Sequence, residues 1–285
     1  MNTVYLNGTF IPKQNATISI MDRGFLFGDS IYEVIPVHHG KLIGGPQHFE
    51  RMQHSLQALV LECPFANYAE FFDICQKLLV ENNLVGNNCA LYFQISRGAE
   101  EFRLHRVPRD IKPTVVAFCM EFKPKSLAEL TQGFKAITHH DLRRDTNYIK
   151  STSLLTNVML YEKGREHGAL ETILLRNGIV FECTSSNLFI VKDNIIKTPP
   201  LSAIILAGVT RSLILEFAAE QGITALETEI SEAELHNADE IWVTGSTKEI
   251  CPIVQLDDHP VGNGRVGPMW QRINTLYQQF KEICT

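Results

Sequence analysis

The chain has 285 residues, 45% of them hydrophobic and 20% charged, an ordinary globular balance that suits one large domain or two smaller ones. Its net charge of −6, from 26 basic and 32 acidic residues, gives no electrostatic reason to expect nucleic acid or an anionic membrane as partner, and no apolar run approaches the length of a membrane span. The seven cysteines are scattered without a C-x-x-C pair and the opening MNTVYLNGTF does not read as a signal peptide, so a disulfide framework and a zinc ribbon are not expected and a cytoplasmic protein is.

In chain order, VYLNGTFI reads as a hairpin with Asn7-Gly8 at its turn, and residues 31–43, IYEVIPVHHGKLI, as a second hairpin turning at Gly40. Phe49, Met52, Leu56 and Leu59 recur at helical spacing, as do Phe71, Ile74, Leu78 and Leu79. CALYFQIS (89–96) and PTVVAFCMEF (113–122) read as strands around a polar, arginine-rich loop over 97–112. KPKSLAELTQG (123–133) reads as a linker. After it, FKAITHH is a strand, SLLTNVMLYEKGREHG a helix ended by Gly168, ETILLRNGIVFE a hairpin turning at Asn177-Gly178, and NLFIVKDNIIKT another strand pair. VTRSLILEFAAEQG is a helix with Gly222 after its last turn, ITALETEI and EIWVTGS are strands, and RVGPMWQRINTLYQQFKEI is a closing helix. The pattern predicts an α+β protein with an N-terminal domain over 1–122, a linker over 123–133 and a C-terminal domain over 134–285.

Some motifs can be set aside. Gly262, Gly264 and Gly267 spell G-x-G-x-x-G, but the 18 residues after them are too few for a βαβ unit, and a polar turn is the better reading. His38-His39 and His139-His140 are adjacent pairs, and neighbours on a strand point to opposite faces, so no metal is expected. Ser185 and Ser186 in TSSN lack the G-x-S-x-G elbow of a hydrolase nucleophile.

Two residues are harder to dismiss. Lys150, in YIKSTSLL, ends a short apolar stretch just before a helix that Ser151 or Ser153 could cap. Taken alone it is a solvated lysine at a strand end; partly desolvated, it is an amine able to attack a carbonyl. Glu182, in VFECTSSNLF, interrupts apolar residues ahead of a hydroxyl-rich turn. It is either a glutamate bonded to that turn or a carboxylate that pairs with a protonated ring nitrogen. The two lie 32 residues apart, with one helix and one hairpin arm between them.

IKS, some thirty residues, then E-x-[ST]-S-S-N-[LI]-F resembles the class IV aminotransferases, the fold-type IV pyridoxal 5′-phosphate (PLP) enzymes, and the likeness runs from MDRGFLFGDSIYEV to VTGSTKEICPI. It implies a small N-terminal α/β domain and a larger, β-barrel-like C-terminal domain with helices. It implies Lys150 as the Schiff-base lysine and proton carrier, and Glu182 as the partner of the pyridine nitrogen. Arg51 in HFERMQ matches the family's phosphate arginine, although helix position alone leaves it a surface residue. LAGVTRS places Val209 and Thr210 at a helix start, where free amides favour an anion. Ser246, beside Gly245 and Thr247, and Ser185 offer hydroxyls for the cofactor, and Leu206 matches the residue packed on the ring face. Tyr32 matches a tyrosine beside the cofactor. Asp22-Arg23-Gly24 and Phe27-Gly28-Asp29 read as a glycine-punctuated loop supporting the site.

The 97–109 loop, RGAEEFRLHRVPR, holds Arg97, Arg103, His105, Arg106 and Arg109 near Glu100 and Glu101. It is either a solvated charged loop or a trap for a substrate α-carboxylate. R-x-H after YFQ-x-[ST]-RG resembles the D-amino-acid aminotransferases, which implies that Arg103 and His105 bind the carboxylate across a homodimer. The reaction so implied moves the amine of a D-amino acid such as D-alanine onto PLP and then onto 2-oxoglutarate, giving D-glutamate. A branched-chain L-aminotransferase, an R-amine transaminase or an aminodeoxychorismate lyase on the same frame are the alternatives, with a PLP-binding protein without turnover further behind.

Overall fold

The computed structural model describes residues 2–108 and 110–283. These form two compact units. The first runs to Lys123 and also includes Ile149–Ser153; the second comprises Pro124–Tyr148 and Leu154–Ile283.

The first unit contains strands β1 (Thr3–Leu6), β2 (Thr9–Pro12), β3 (Ser30–His38), β4 (Lys41–Leu42), β5 (Cys89–Ser96) and β6 (Thr114–Met120), with helices α1 (Arg23–Phe27), α2 (Gly45–Ala58) and α3 (Tyr68–Glu81). Its sheet is antiparallel in the order β2-β1-β6-β5-β3-β4. The helical repeat read from the sequence has a direct consequence: Met52 and Leu56 of α2 and Phe71 and Leu78 of α3 share one core with Ile35, Leu91 and Phe93 of the sheet. Burying each such side chain contributes roughly 1.5–3 kcal/mol.

The second unit contains α4 (Leu127–Gln132), β7 (Phe134–His140), α5 (Leu155–Glu166), β8 (Glu171–Arg176), β9 (Ile179–Cys183), β10 (Asn187–Lys192), β11 (Ile195–Thr198) and α6 (Val209–Glu220). It continues with β12 (Ala225–Glu227), β13 (Ile230–Ser231), α7 (Glu232–His236), β14 (Glu240–Gly245), β15 (Glu249–Leu256), β16 (His259–Pro260) and α8 (Pro268–Ile283). Its ten strands make one curled mixed sheet in the order β12-β11-β10-β14-β15-β7-β8-β9-β13, with β16 paired to β15. Leu213, Ile214 and Phe217 of α6 and Trp270, Ile273 and Tyr277 of α8 close a core with Leu188, Ile190 and Trp242. Mixed helix and sheet in two parts is the fold-type IV arrangement that the motif order implied.

Several local expectations need correction. Residues 123–133 are not a plain linker, because Ser126 and Glu129 form a reciprocal capping box that starts α4. The segment Asp22–Gly28 is not a loop: Asp22 caps α1 by accepting the Gly24 N–H, and Gly28 closes it at φ 65°. ITALETEI splits into β12 and β13, which join different edges of the sheet. EICPIVQL, to which the pattern assigned no element, is the interior strand β15 in spite of Pro252. His38 and His39 do not face apart, because β3 ends at His38 and His39 turns to φ 48°, bringing the ring centroids to 4.2 Å. Ser151 and Ser153 do not cap α5, which begins after Leu154 without a side-chain cap. The glycines of the G-x-G-x-x-G lead into α8, whose first amides, those of Met269 and Trp270, are already bound by the Glu240 carboxylate at 2.9 and 2.8 Å.

Four helices end in the same way, with the residue after the C-cap in the left-handed region and a paired set of closing amide bonds. That residue is Asn83 after α3, Gly168 after α5 and Gly222 after α6, but Val60 after α2, at φ 53°. A β-branched side chain is strained there, and Val60 is 85% exposed, so packing does not offset the strain. The Arg97 guanidinium donates to the Leu59 carbonyl at 2.7 Å and holds this end in place. Val60→Gly is expected to stabilise the protein by about 0.5–1 kcal/mol, read as a rise in the thermal midpoint; a fall would show that the strain is absent.

Candidate active site

Residues 149–153 extend the first unit's sheet as a short segment beside β3. Ser151 bridges Ile31, the Tyr32 N–H donates to the Lys150 carbonyl at 2.9 Å, and the Thr152 N–H donates to the Ser30 carbonyl at 3.1 Å. The Lys150 N–H donates to Ser55 Oγ at 3.2 Å. Lys150 is therefore pinned by its backbone on both sides, and its Nζ stands 4.3 Å from the centroid of the Tyr32 ring. Tyr32 in turn stacks on Tyr92 across the sheet at 5.9 Å. Lys150 and Tyr32, both singled out by the sequence, thus meet through strand geometry.

Arg51 is buried rather than at the surface, and its partner is Glu33, which sequence reasoning missed. The guanidinium donates to both Glu33 oxygens, from Nε at 2.8 Å and from Nη2 at 2.7 Å, and His48 Nδ1 lies 2.8 Å from Glu33 Oε2. Burial alone would raise the Glu33 carboxyl, but Arg51 and then His48 outweigh it and hold the group down at about 2. Burial pushes the His48 imidazole down, towards its neutral form. A glutamate inside the apolar run SIYEVIPV was the available signal, since a buried charge requires a partner.

The 97–108 loop separates its basic residues. Arg97 is buried and grips Asp29 through Nε and Nη2 at 2.8 and 3.1 Å, so it is a structural tie and no part of a carboxylate trap. Arg106 pairs with Glu100 at 3.6 Å. Arg103 and His105 are exposed, both against Phe27, and among the described residues no carboxylate pairs with Arg103. Arg109 lies outside the described residues.

In the second unit Glu182 is buried on β9. Its Oε1 accepts from Arg143 at 2.5 Å, and its Oε2 accepts from the Leu206 N–H at 3.1 Å and Asn187 Nδ2 at 3.3 Å. Arg143 is itself gripped by both oxygens of Asp141, at 2.9 and 3.0 Å. Burial dominates and pushes the Glu182 carboxyl up to about 7, against the pull of Arg143. Leu206 is tied into the same cluster, because its carbonyl accepts from Asn187 at 2.9 Å.

Val209 and Thr210 open α6, whose N-cap Gly208 supplies no side-chain acceptor for the first amides. Thr244 Oγ1, one residue before the 245–248 turn that carries Ser246, is buried without a partner among the described residues. Ser185 is already engaged, donating to Glu171 Oε2 at 2.8 Å and meeting Lys248 Nζ at 2.5 Å. Lys248 also pairs with buried Glu171 at 2.6 Å, a link between distant positions that no local pattern announced.

A family model described as amino-transferase class IV matches residues 30–256. A D-alanine aminotransferase of Bacillus licheniformis is 34% identical over 275 residues, 96% of this chain and 95% of the relative. Among solved structures, the branched-chain amino acid aminotransferase of Escherichia coli superposes with a TM-score of 0.89 at 25% identity, covering 100% of this chain and 95% of that one. The branched-chain aminotransferase of the thermophilic archaeon Thermoproteus uzoniensis, solved with norvaline, shares the fold with a TM-score of 0.86 at 24% identity, over 98% of this chain and 95% of that one. By the family match and the near-complete alignment to such a relative, the chain belongs to the class IV aminotransferases, which are PLP-dependent enzymes.

Proposed function

We propose that this aminotransferase acts on D-amino acids, taking the amine of D-alanine and passing it to 2-oxoglutarate. The observation that carries the reading is the pair Arg103 and His105 on an exposed loop, with the Arg103 charge unmatched by any acid among the described residues. A guanidinium in that state suits a substrate carboxylate, which it can take with two parallel hydrogen bonds. The relative described as a D-alanine aminotransferase supports the same choice. Exposed Phe102, Leu104 and Val107 on that loop support a homodimer, in which the loop would serve the partner's substrate.

The residues present fit PLP. The uncapped start of α6 at Val209 and Thr210, the unpartnered Thr244 Oγ1 and the neighbouring Ser246 suit a phosphate. Arg51 would add positive charge, oriented by Glu33. Leu206 would pack against the ring, and Ser185 would act through its hydroxyl turn. When bound, PLP supplies an electron sink for the charge left at the substrate Cα. Lys150 would carry the cofactor and, once released, take the Cα proton on Nζ; its backbone bonds to Tyr32 and Ser55 fix where that amine can reach. Glu182, with its carboxyl near 7, would ionise against a ring N–H and keep that nitrogen protonated.

Incubation of the holoenzyme with D-alanine and 2-oxoglutarate is expected to yield pyruvate. Turnover of L-leucine without D-alanine, or product formation from aminodeoxychorismate with no amino acceptor, would overturn the assignment. Arg103→Ala is expected to raise the KM for D-alanine about 10- to 100-fold, the worth of a charge-assisted contact.

Glu182 also makes a prediction about pH. A carboxyl whose folded pKa is raised, here from 4.5 to about 7, adds stability that is present below pH 4.5 and lost as pH rises through 7. Glu182→Gln keeps a neutral group there. The Gln amide must turn its NH2 towards donors, at Arg143 or at Leu206 and Asn187, a cost that does not change with pH, so the pH dependence carries the prediction. From pH 4 to pH 8 the cofactor-free parent is expected to lose stability relative to Glu182→Gln by on the order of 3 kcal/mol. Thermal melts across that range measure the difference, and parallel pH profiles for the two proteins would contradict it.

A further inference from the structure

We infer that one turn of α1 is a positioning plate for the carboxylate-binding pair, with Phe27 and Arg23 as positioning residues; the inference rests on the assignment of Arg103 and His105 made above. Residues 23 and 27 stand four apart on a helix and so share a face, and the Arg23 guanidinium lies 4.8 Å from the Phe27 ring centroid. The Arg103 guanidinium packs over the same ring at 4.7 Å. The His105 ring meets it edge-on, at 5.4 Å and 64°. Between them, the Leu104 carbonyl accepts a hydrogen bond from Arg23 Nη1 at 2.7 Å.

Arg23 can hold the loop because it is itself fixed. It is buried, donates from Nε to Asp29 at 2.9 Å, and pairs with Glu100 at 3.0 Å. Asp29 is also gripped by Arg97, and burial's upward pull on its carboxyl is outweighed by the two arginines. The chain of contacts therefore runs from buried charge pairs, through Arg23, to the backbone of the R-x-H segment, while the Phe27 ring takes both flanking side chains.

Arg103 and His105 are exposed, and an unrestrained arginine loses about 2 kcal/mol of rotamer freedom when it is fixed on a ligand. Seating the guanidinium on an aromatic face beforehand removes part of that cost and leaves the planar N–H edge free for a carboxylate. The effect falls on substrate capture and leaves proton transfer at Lys150 untouched.

The test is a double-mutant cycle on the holoenzyme with D-alanine as substrate. Phe27→Leu keeps apolar volume and removes the π face, and Phe27→Tyr keeps both; Arg23 is left intact because its loss would leave Asp29 to Arg97 alone and Glu100 to the longer pair with Arg106. Phe27→Leu is expected to raise KM about 3- to 10-fold with kcat changed less than about twofold. Phe27→Tyr is expected to restore the parent KM, and Phe27→Leu to have a smaller effect once Arg103 is alanine, because only His105 then remains on the ring. Unchanged KM in Phe27→Leu beside a raised KM in Arg103→Ala overturns this inference alone, as does an equal effect of Phe27→Leu with and without Arg103. Unchanged KM in Arg103→Ala overturns the carboxylate assignment and this inference with it.

Discussion

A carboxylate removed from water must be matched, and the two units match theirs to different degrees. Glu33 meets Arg51 with both oxygens and takes His48 as well, and its charge is so well held that the group lies near 2. Glu182 is as deeply buried, yet its arginine is shared: Arg143 turns a two-pronged face to Asp141 and leaves one nitrogen for Glu182. The remaining oxygen has only amide donors, and the carboxyl rises to about 7. Residue type is the same and both groups are buried; Glu33 has the fork of Arg51 and His48 beside it, whereas Glu182 has one nitrogen of Arg143 and the like charge of Asp141. Glu33 is thereby committed to structure, whereas Glu182 retains the capacity to be stabilised by one more positive N–H.

The elements around Glu182 follow from that constraint. Asn187 bridges its carboxylate to the Leu206 carbonyl, and the Leu206 N–H returns to the carboxylate, so the loop that leads into α6 is tied to β9. Gly208 passes so close to the Asn187 side chain that a Cβ there would overlap its amide oxygen. The hydroxyl turn beyond Glu182 is drawn onto Glu171, which accepts from Thr184, Ser185 and Ser186 and is balanced by Lys248. Hydroxyls and amides near this carboxylate are thus held by mutual bonds, the condition for a site that does not reorganise when charge moves.

What the sequence disclosed follows the range of the interactions involved. Turns such as Asn7-Gly8 and Asn177-Gly178 and the periodic helices α2, α3, α5, α6 and α8 are specified by neighbouring residues, and they were legible. Helix α1 is only five residues long, too short for periodicity to register, and β15 carries a proline that argues against a strand. Lys150 and Glu182 were singled out by the order of motifs, not by any property visible at either position alone. The Arg143 partner of Glu182 was hidden because it lies 39 residues away, and the Glu171–Lys248 pair, 77 residues apart, was hidden for the same reason. The role of Arg97 was hidden for the same reason, since its acid is Asp29, 68 residues away.

We propose that Lys150, alone among the lysines, carries the cofactor, and the rest of the site depends on it. Borohydride reduction of the holoenzyme, followed by proteolysis and mass mapping, tests it directly. The expected result is a phosphopyridoxyl group on the peptide containing Lys150, together with loss of the visible absorbance and of activity. A label on Lys248 or any other lysine, with the Lys150 peptide unmodified, would contradict the account.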